Sequence, residues 1–338
     1  MIFSKWLERL RKAPSDLVGI EVTAQELRVA RVRKGTTEVT LTAADVLPRP
    51  ARDEDSEEPA APELPSKTRA KYVSLCVPGE NAVVKYLSFP GQMDEAADAA
   101  IVQNMGLKDP EGYRIAYKVI VEGHARGESR LLAVAVPNEE AEAATSLFAT
   151  GLPAPYSLEL SETALLTAFL HGAPEHEGSD CIGMVAFGRN TTFLSLFRKG
   201  SLALLRKLEF GTEAILSKLE KTLGVNRATA QEILVDGAFD ISQAIADVMA
   251  PLVKQLVVSR DFVERRENCQ IKKVYTAGEI VTSQEALNQL RASLGVDFEP
   301  WNPLNAVTAA EGALPDRLVG QEWRFGAAIG TCLGSFEE

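Results

Sequence analysis

A strand-rich pattern that occurs twice, helices that follow each copy, and extra strands and helices that interrupt the first copy predict a duplicated α/β protein with a small inserted α+β module. The 338 residues are 46% hydrophobic and 25% charged, the balance of a globular chain long enough for about two domains.

Each element has its own sequence signal. In the first 16 residues, Ile2, Phe3, Trp6, Leu7 and Leu10 can share one helical face, with Lys5, Arg9, Arg11 and Lys12 against the single acid Glu8. Such a basic amphipathic tail can lie on an anionic membrane surface or dock on a partner, and it can equally pack on its own domain. Strand-like runs follow at Leu17–Val22, Glu26–Val32 and Glu38–Val46, the second turn being Arg33-Lys34-Gly35-Thr36. Pro48–Lys67 is rich in Pro, Ala, Asp and Glu and nearly devoid of large apolar residues, so 48–67 is expected to be a flexible loop, dispensable for folding. Tyr72–Pro78 reads as a buried strand. Strands at Ala82–Ser88, Arg114–Val121 and Arg130–Val136, with helices at Asp94–Met105 and Glu139–Ala149, make the inserted α+β subdomain, expected over 81–153. Residues 17–80 and 154–178 are then the first lobe, with helical apolar spacing from about Glu162 to Leu170 and a polar linker from His171 to Gly178. The second lobe, 179–338, opens with the strand-like runs Cys181–Phe187, Thr191–Phe197 and Leu202–Phe210. Helices at Glu213–Leu223, Arg227–Leu234 and about Ile241–Arg266, a strand at Lys272–Thr276, a helix at Ser283–Leu294 and a closing stretch Arg324–Leu333 complete it.

The repeat carries the fold argument. Arg33-Lys34-Gly35 recurs as Arg198-Lys199-Gly200, and at that offset Ile20 falls on Val185, Val22 on Phe187, Thr23 on Gly188, Val29 on Leu194 and Val32 on Phe197 without a gap. Identities are few, but strand register has period two, so agreement in apolar phase over a shared turn is informative. In such a duplicated fold the first tight turn of each copy faces a cleft between the halves, where turn amides can grip phosphates.

Composition excludes several functions. Asp plus Glu number 47 against 36 Lys plus Arg, a net charge of −11, so no nucleic-acid partner is expected. No apolar run approaches the ~20 residues of a membrane span, and Met1–Pro14 lacks a signal-peptide core, so a cytoplasmic location is expected. Cys76, Cys181, Cys269 and Cys332 have no metal-ligand spacing and read as buried free thiols of a reducing compartment. His124, His171 and His176 form no metal or triad signature, and the last two read as solvated loop residues.

At the repeat the sequence resembles the actin-like ATPase fold and, more narrowly, the PilM-type assembly proteins of bacterial type IV pili. That family opens with V-G-I-D-x-G-S-x-x-V-K-x-V; here the segment is Val18-Gly19-Ile20-Glu21-Val22-Thr23-Ala24-Gln25-Glu26-Leu27-Arg28-Val29-Ala30. Val77-Pro78-Gly79 stands where the family has L-P-G before its inserted domain, and Glu162-Thr163-Ala164-Leu165 fits the E-x-x-A-L that follows it. Val274-Tyr275-Thr276-Ala277-Gly278-Glu279, then Gly295-Val296 and Asn302-Pro303, fit the family's late strand, glycine turn and N-P. Phe325-Gly326-Ala327-Ala328-Ile329-Gly330 resembles its closing A-x-G-L-A. The resemblance implies an actin-like, ribonuclease H-like two-lobed fold.

The departures fall in the nucleotide site. Thr23 and Ala24 stand for Gly and Ser, Glu21 for Asp, and Ala186-Phe187-Gly188 for Asp-x-Gly. Phe210-Gly211 replaces a double glycine, Ala230-Gln231-Glu232-Ile233-Leu234 lacks the Lys of A-E-x-x-K, and the late turn keeps only Gly278. A side chain in a phosphate turn blocks close backbone approach, and a lost carboxylate leaves Mg²⁺ with fewer oxygen anchors. The expectation is a degenerate site with residual nucleotide-binding positions Glu21, Thr23, Gly188, Thr192, Gly211 and Gly278, no catalytic residue, no metal ligand and no cofactor; plain turn chemistry is the other reading of Glu21, Gly188 and Thr192. ATP with magnesium is the alternative. The resemblance implies a cytoplasmic scaffold at the inner face of the inner membrane, bound to the cytoplasmic tail of a PilN-like membrane protein. The competing functions are an active actin-fold ATPase and an FtsA-like cell-division membrane tether.

Overall fold

The computed structural model describes residues 14–50, 61–91, 97–123, 127–172, 181–236 and 239–337. In chain order they form β1 (Asp16–Val22), β2 (Glu26–Lys34), β3 (Val39–Pro48), β4 (Tyr72–Val77), β5 (Val83–Pro90), α1 (Ala97–Met105), β6 (Tyr113–Val121), β7 (Glu128–Pro137), α2 (Asn138–Thr145), β8 (Ala154–Leu160) and α3 (Ser161–Gly172). The second half contributes β9 (Cys181–Phe187), β10 (Thr192–Arg198), β11 (Ser201–Leu208), α4 (Thr212–Leu223), α5 (Arg227–Asp236), α6 (Ser242–Glu267), β12 (Ile271–Gly278), α7 (Gln284–Leu294), β13 (Asp297–Pro300), β14 (Thr308–Ala309) and α8 (Gly326–Ser335).

The described residues divide into two compact units. The first comprises those up to Pro78, from Glu139 through the end of α3, and from Asn302 onward. Its sheet has the order β14-β3-β2-β1-β4-β8. β1 is the central strand, and all its residues from Leu17 to Val22 are buried, which is why its sequence is continuously apolar rather than alternating. Helix α8, apolar nearly all round, covers β1 and packs on α3. That approach explains Gly19: a Cβ there would lie 1.8 Å from the Ala328 carbonyl oxygen. Phe169, Phe325, Leu17, Ile20 and Leu75 fill the core. A buried hydroxyl chain ties helix to sheet, with Ser335 Oγ 2.8 Å from both Ser74 Oγ and Ser157 Oγ.

The second unit comprises Gly79–Asn138 and the described residues up to Trp301. Its main sheet has the order β11-β10-β9-β12-β13. Helices α4, α6 and α7 cover it through Ile215, Leu219, Ile245, Met249, Leu256 and Leu290. The inserted strands form a separate sheet, β5-β7-β6. Its core is Leu131, Ala133 and Ala135 against Ile101 and Met105 of α1.

Both main sheets begin with an antiparallel meander followed by two parallel strands, and the register repeats. Ile20 pairs with Val29 in the first unit and Val185 with Leu194 in the second, the offset read from the sequence. β1 pairs parallel with β4 as β9 does with β12.

Several expectations need correction. Residues 302–338 were expected in the second lobe; the described part of that stretch packs with the first unit, because α8 lies across β1 and β4. Three strands are additional to those read from the sequence: β8 and β13, which extend the two sheets in parallel, and the two-residue β14, parallel to β3 at the other edge of the first sheet. The flexible loop was drawn too wide. β3 runs to Pro48, and residues 61–67 are ordered against the sheet, with Leu64 4% exposed and Arg69 Nε donating to its carbonyl oxygen at 2.9 Å. Cys181 and Cys269 form a disulfide, their Cα atoms 6.3 Å apart, so the reading of four free thiols is overturned. Parallel pairing places Ile271 beside Cys181, which brings Cys269, just before β12, within reach. Cys76 and Cys332 are free and buried, and burial pushes both thiols well above the ordinary range. His171 sits in the last turn of α3, not in a loop, with Nε2 3.3 Å from the Glu337 carboxylate. The amphipathic segment Met1–Leu10, His124 and His176 lie outside the described residues.

Candidate functional site

The residues singled out in the sequence fall at the first turn of each meander or, for Gly211 and Gly278, on elements packed against the second turn, and each set is a closed local structure. In the first unit Thr23 builds the turn between β1 and β2. Its N–H donates to the Glu26 carbonyl oxygen at 3.0 Å, and its Oγ1 donates to the same oxygen at 2.9 Å. The Oγ1 also accepts the Glu26 N–H at 3.1 Å, and the Arg49 guanidinium takes the Thr23 carbonyl at 2.9 Å. A threonine that caps its own turn in this way stabilises a hairpin without any ligand.

Glu21, 7% exposed, is held by Arg28, its cross-strand partner. Arg28 Nη1 donates to Glu21 Oε2 at 3.1 Å, and its Nε donates to Glu26 Oε1 at 2.8 Å. Arg324 pairs with the other side of Glu26, and the Arg28 guanidinium lies over the Trp323 ring at 5.6 Å. Burial alone would push the Glu26 carboxyl up; hydrogen bonds and charges from Arg324 and Arg28 overcome it and hold the group below the ordinary carboxylate range. Burial likewise opposes the Arg28 cation, but Glu21 and Glu26 keep it charged. The Glu21 carboxylate thus serves an ion-pair network, and among the described residues no group of three or more His, Cys, Asp or Glu is arranged to hold a metal.

In the second unit the fold brings Gly188, Thr192, Gly211 and Gly278 together at one end of β9. Gly188 N–H donates to the Thr191 carbonyl at 2.8 Å, closing the β9–β10 turn. The turn then folds onto the start of α4: Thr212 N–H donates to the Gly188 carbonyl at 3.1 Å, and Glu213 N–H to the Arg189 carbonyl at 2.9 Å. These are the helix-end donors that would otherwise face an anion. A Cβ on Gly211 would lie 2.1 Å from the Arg189 carbonyl oxygen, so this glycine serves the close approach of turn to helix. Thr192 Oγ1 donates to the Phe210 carbonyl at 2.7 Å. Gly278 has φ +91° and pairs with Phe187, whose carbonyl oxygen would be 2.0 Å from a Cβ. Ala186, which the sequence comparison read as a lost carboxylate, is 6% exposed within β9.

The second turn holds a carboxylate of its own chain. Asn190 N–H and Nδ2 donate to the two oxygens of Glu80 at 3.3 and 3.1 Å. Lys207 Nζ fixes the same segment through the carbonyls of Glu80 and Ala82, the latter at 3.2 Å. Arg28 could have been found from the sequence, since a turn at Thr23 places it opposite Glu21. Glu80 could not, because its contact to Asn190 spans 110 positions and follows no period.

No protein-family model matches the chain, and no curated protein matches it in sequence. Among solved structures it is similar to a chain described as the PilM-PilN type IV pilus biogenesis complex: 18% identity, TM-score 0.75, covering 96% of this chain and 100% of that one. A Bacteroides thetaiotaomicron protein of actin-like ATPase fold is 9% identical with TM-score 0.48, over 87% of this chain and 95% of that one. The ethanolamine utilization protein EutJ from Carboxydothermus hydrogenoformans is 12% identical with TM-score 0.44, over 95% and 90%. The protein has the actin-like ATPase fold, and its structure resembles the PilM type expected from the sequence motifs. Among the described residues no helix is long and apolar enough to cross a membrane.

Proposed function

We propose that the protein is a cytoplasmic scaffold of a type IV pilus or related secretion machine, working at the inner face of the inner membrane. In this reading it binds the cytoplasmic tail of a PilN-like single-span protein and does not turn over ATP. The observation that carries the reading is the likeness over 96% of the chain, at TM-score 0.75, to a chain from a PilM-PilN complex. The chemistry of the two turns supports the second half of it. Phosphate capture needs free amides and close backbone approach; here the amides of Thr212 and Glu213 serve their own turn, and Thr23 occupies the other. Magnesium needs carboxylate oxygens; Glu21 is committed to Arg28, and Ala186 offers none. The residues present therefore do not fit Mg·ATP, and an active ATPase is the weaker reading.

The test is fluorescence anisotropy with labelled synthetic peptides copied from the short cytoplasmic tails of membrane proteins encoded beside this chain. Saturable binding of one tail, retained in chelator and without nucleotide, supports the scaffold. Binding to none of the tails of pilus-platform proteins overturns it, and binding instead to cell-division proteins overturns it in favour of the tether.

A further inference from the structure

Helix α6 buries one face in the core of the second unit through Ile245, Met249, Leu252, Leu256 and Val263. Its opposite face is not uniformly polar, as that of an ordinary surface helix would be. Val258 and Phe262, four residues apart and so neighbours on that face, are 55% and 50% exposed. With Asp261, Arg265 and Arg266 they form an open patch on this one helix. Lys254 and Arg265 extend the same row one turn to either side, and neither makes an ion pair or hydrogen bond to any described residue. Arg266 lies 5.9 Å from the Phe262 ring centroid. Asp261, the acid within the patch, is already neutralised by Arg260 at 2.9 Å. Basic residues in a last turn can be explained by the helix dipole, but Lys254 lies in mid-helix, and the dipole gives no reason for two exposed apolar side chains.

We propose that this face of α6 docks an acidic, apolar-faced helix of a partner protein. The apolar pair supplies an anchor patch, and the unpaired cations at its two ends select negative charge. A lipid surface fits less well, because a chain of net charge −11 is repelled by anionic headgroups. A second copy of the chain fits less well too, since α6 against α6 would set Lys254 and Arg265 against like charges.

The probe is an 18-residue labelled peptide of Leu and Glu with helical apolar spacing, compared with a counterpart carrying Lys for Glu. Non-specific attraction to so acidic a chain favours the basic peptide, so the order of affinities reads the local patch. The expected result is tighter binding of the acidic peptide by the full chain. Binding should weaken at least about tenfold in Phe262→Ser and in the double variant Lys254→Glu, Arg265→Glu, all with unchanged circular dichroism and melting temperature. Tighter binding of the basic peptide overturns the proposal, as does affinity that neither variant changes. Flotation with phosphatidylglycerol vesicles in a Phe262-dependent manner, without acidic-peptide binding, would assign the face to lipid and overturn it as well.

Discussion

At the scale of single residues, the positions singled out in the sequence as residual nucleotide contacts are held by interactions internal to the fold. Gly278 holds a φ of +91° and lies against the Phe187 carbonyl, so any side chain is strained there with or without a ligand. Gly278→Ala is expected to lower the melting temperature of the ligand-free protein by several degrees, the equivalent of at least about 1–3 kcal/mol; an unchanged melt would mean the glycine is kept for something other than packing. Glu26 gives a prediction in pH. Its folded carboxyl lies below the ordinary value of 4.5, so the unfolded chain takes up the proton first as pH falls. The stabilisation is complete above about pH 4.5 and is lost as the pH drops through the lower folded value. Urea melts between about pH 6 and 3 should show a shallower acid-side loss in Glu26→Gln than in the parent, with the variant already less stable at pH 6. Parallel curves would show that Glu26 is not coupled to Arg28 and Arg324 as described.

At the scale of elements, the sequence was legible where periodicity had a single cause. The first hairpin of each meander was read with its offset because burial and a first turn of the same length impose one register on both; the second turns differ, since Lys34 pairs with Val39 across Gly35–Glu38 whereas Arg198 pairs with Ser201 across Lys199-Gly200 alone. The outer strands were harder. β8 presents half-buried positions rather than alternation, and its residues run straight into α3; β13 has only four residues. Composition misled at 61–67, where one leucine in a Pro-rich stretch outweighs its neighbours: Leu64 is 4% exposed, and the short helical turn beyond it packs on β3 and β2. Leu64→Ala should therefore cost about 2–5 kcal/mol, as a core truncation does, measurable in denaturant melts. A change under about 0.5 kcal/mol would restore the view of this segment as an unattached loop. Of the candidate site, the turn residues were legible through the resemblance, but what occupies them was not. Glu80 reaches Asn190, and the α4 amides reach the turn carbonyls, only after the strands have paired.

At the scale of the whole molecule, the same logic explains the cysteines. Spacing along the chain could not reveal a bond across 88 residues; the parallel register of β9 and β12 creates it. Under native, non-reducing conditions, mass spectrometry after iodoacetamide should show none of the four cysteines modified, since two are bonded and Cys76 and Cys332 are buried with their thiols held protonated. Modification of Cys181 or Cys269 without prior reduction would contradict the bond. The fold as a whole is a duplicated α/β frame whose two turns are filled by its own side chains and carbonyls, and in the proposed function this frame binds a membrane protein's tail without nucleotide. The direct measurement is calorimetric titration of the full chain with a neighbouring PilN-like tail peptide, once in chelator and once with saturating Mg·ATP, alongside Mg·ATP alone. The scaffold should show the same tail affinity in both conditions and no heat from Mg·ATP at micromolar concentrations. Tail binding that appears only with Mg·ATP, or micromolar Mg·ATP binding by the unmodified protein, would contradict it.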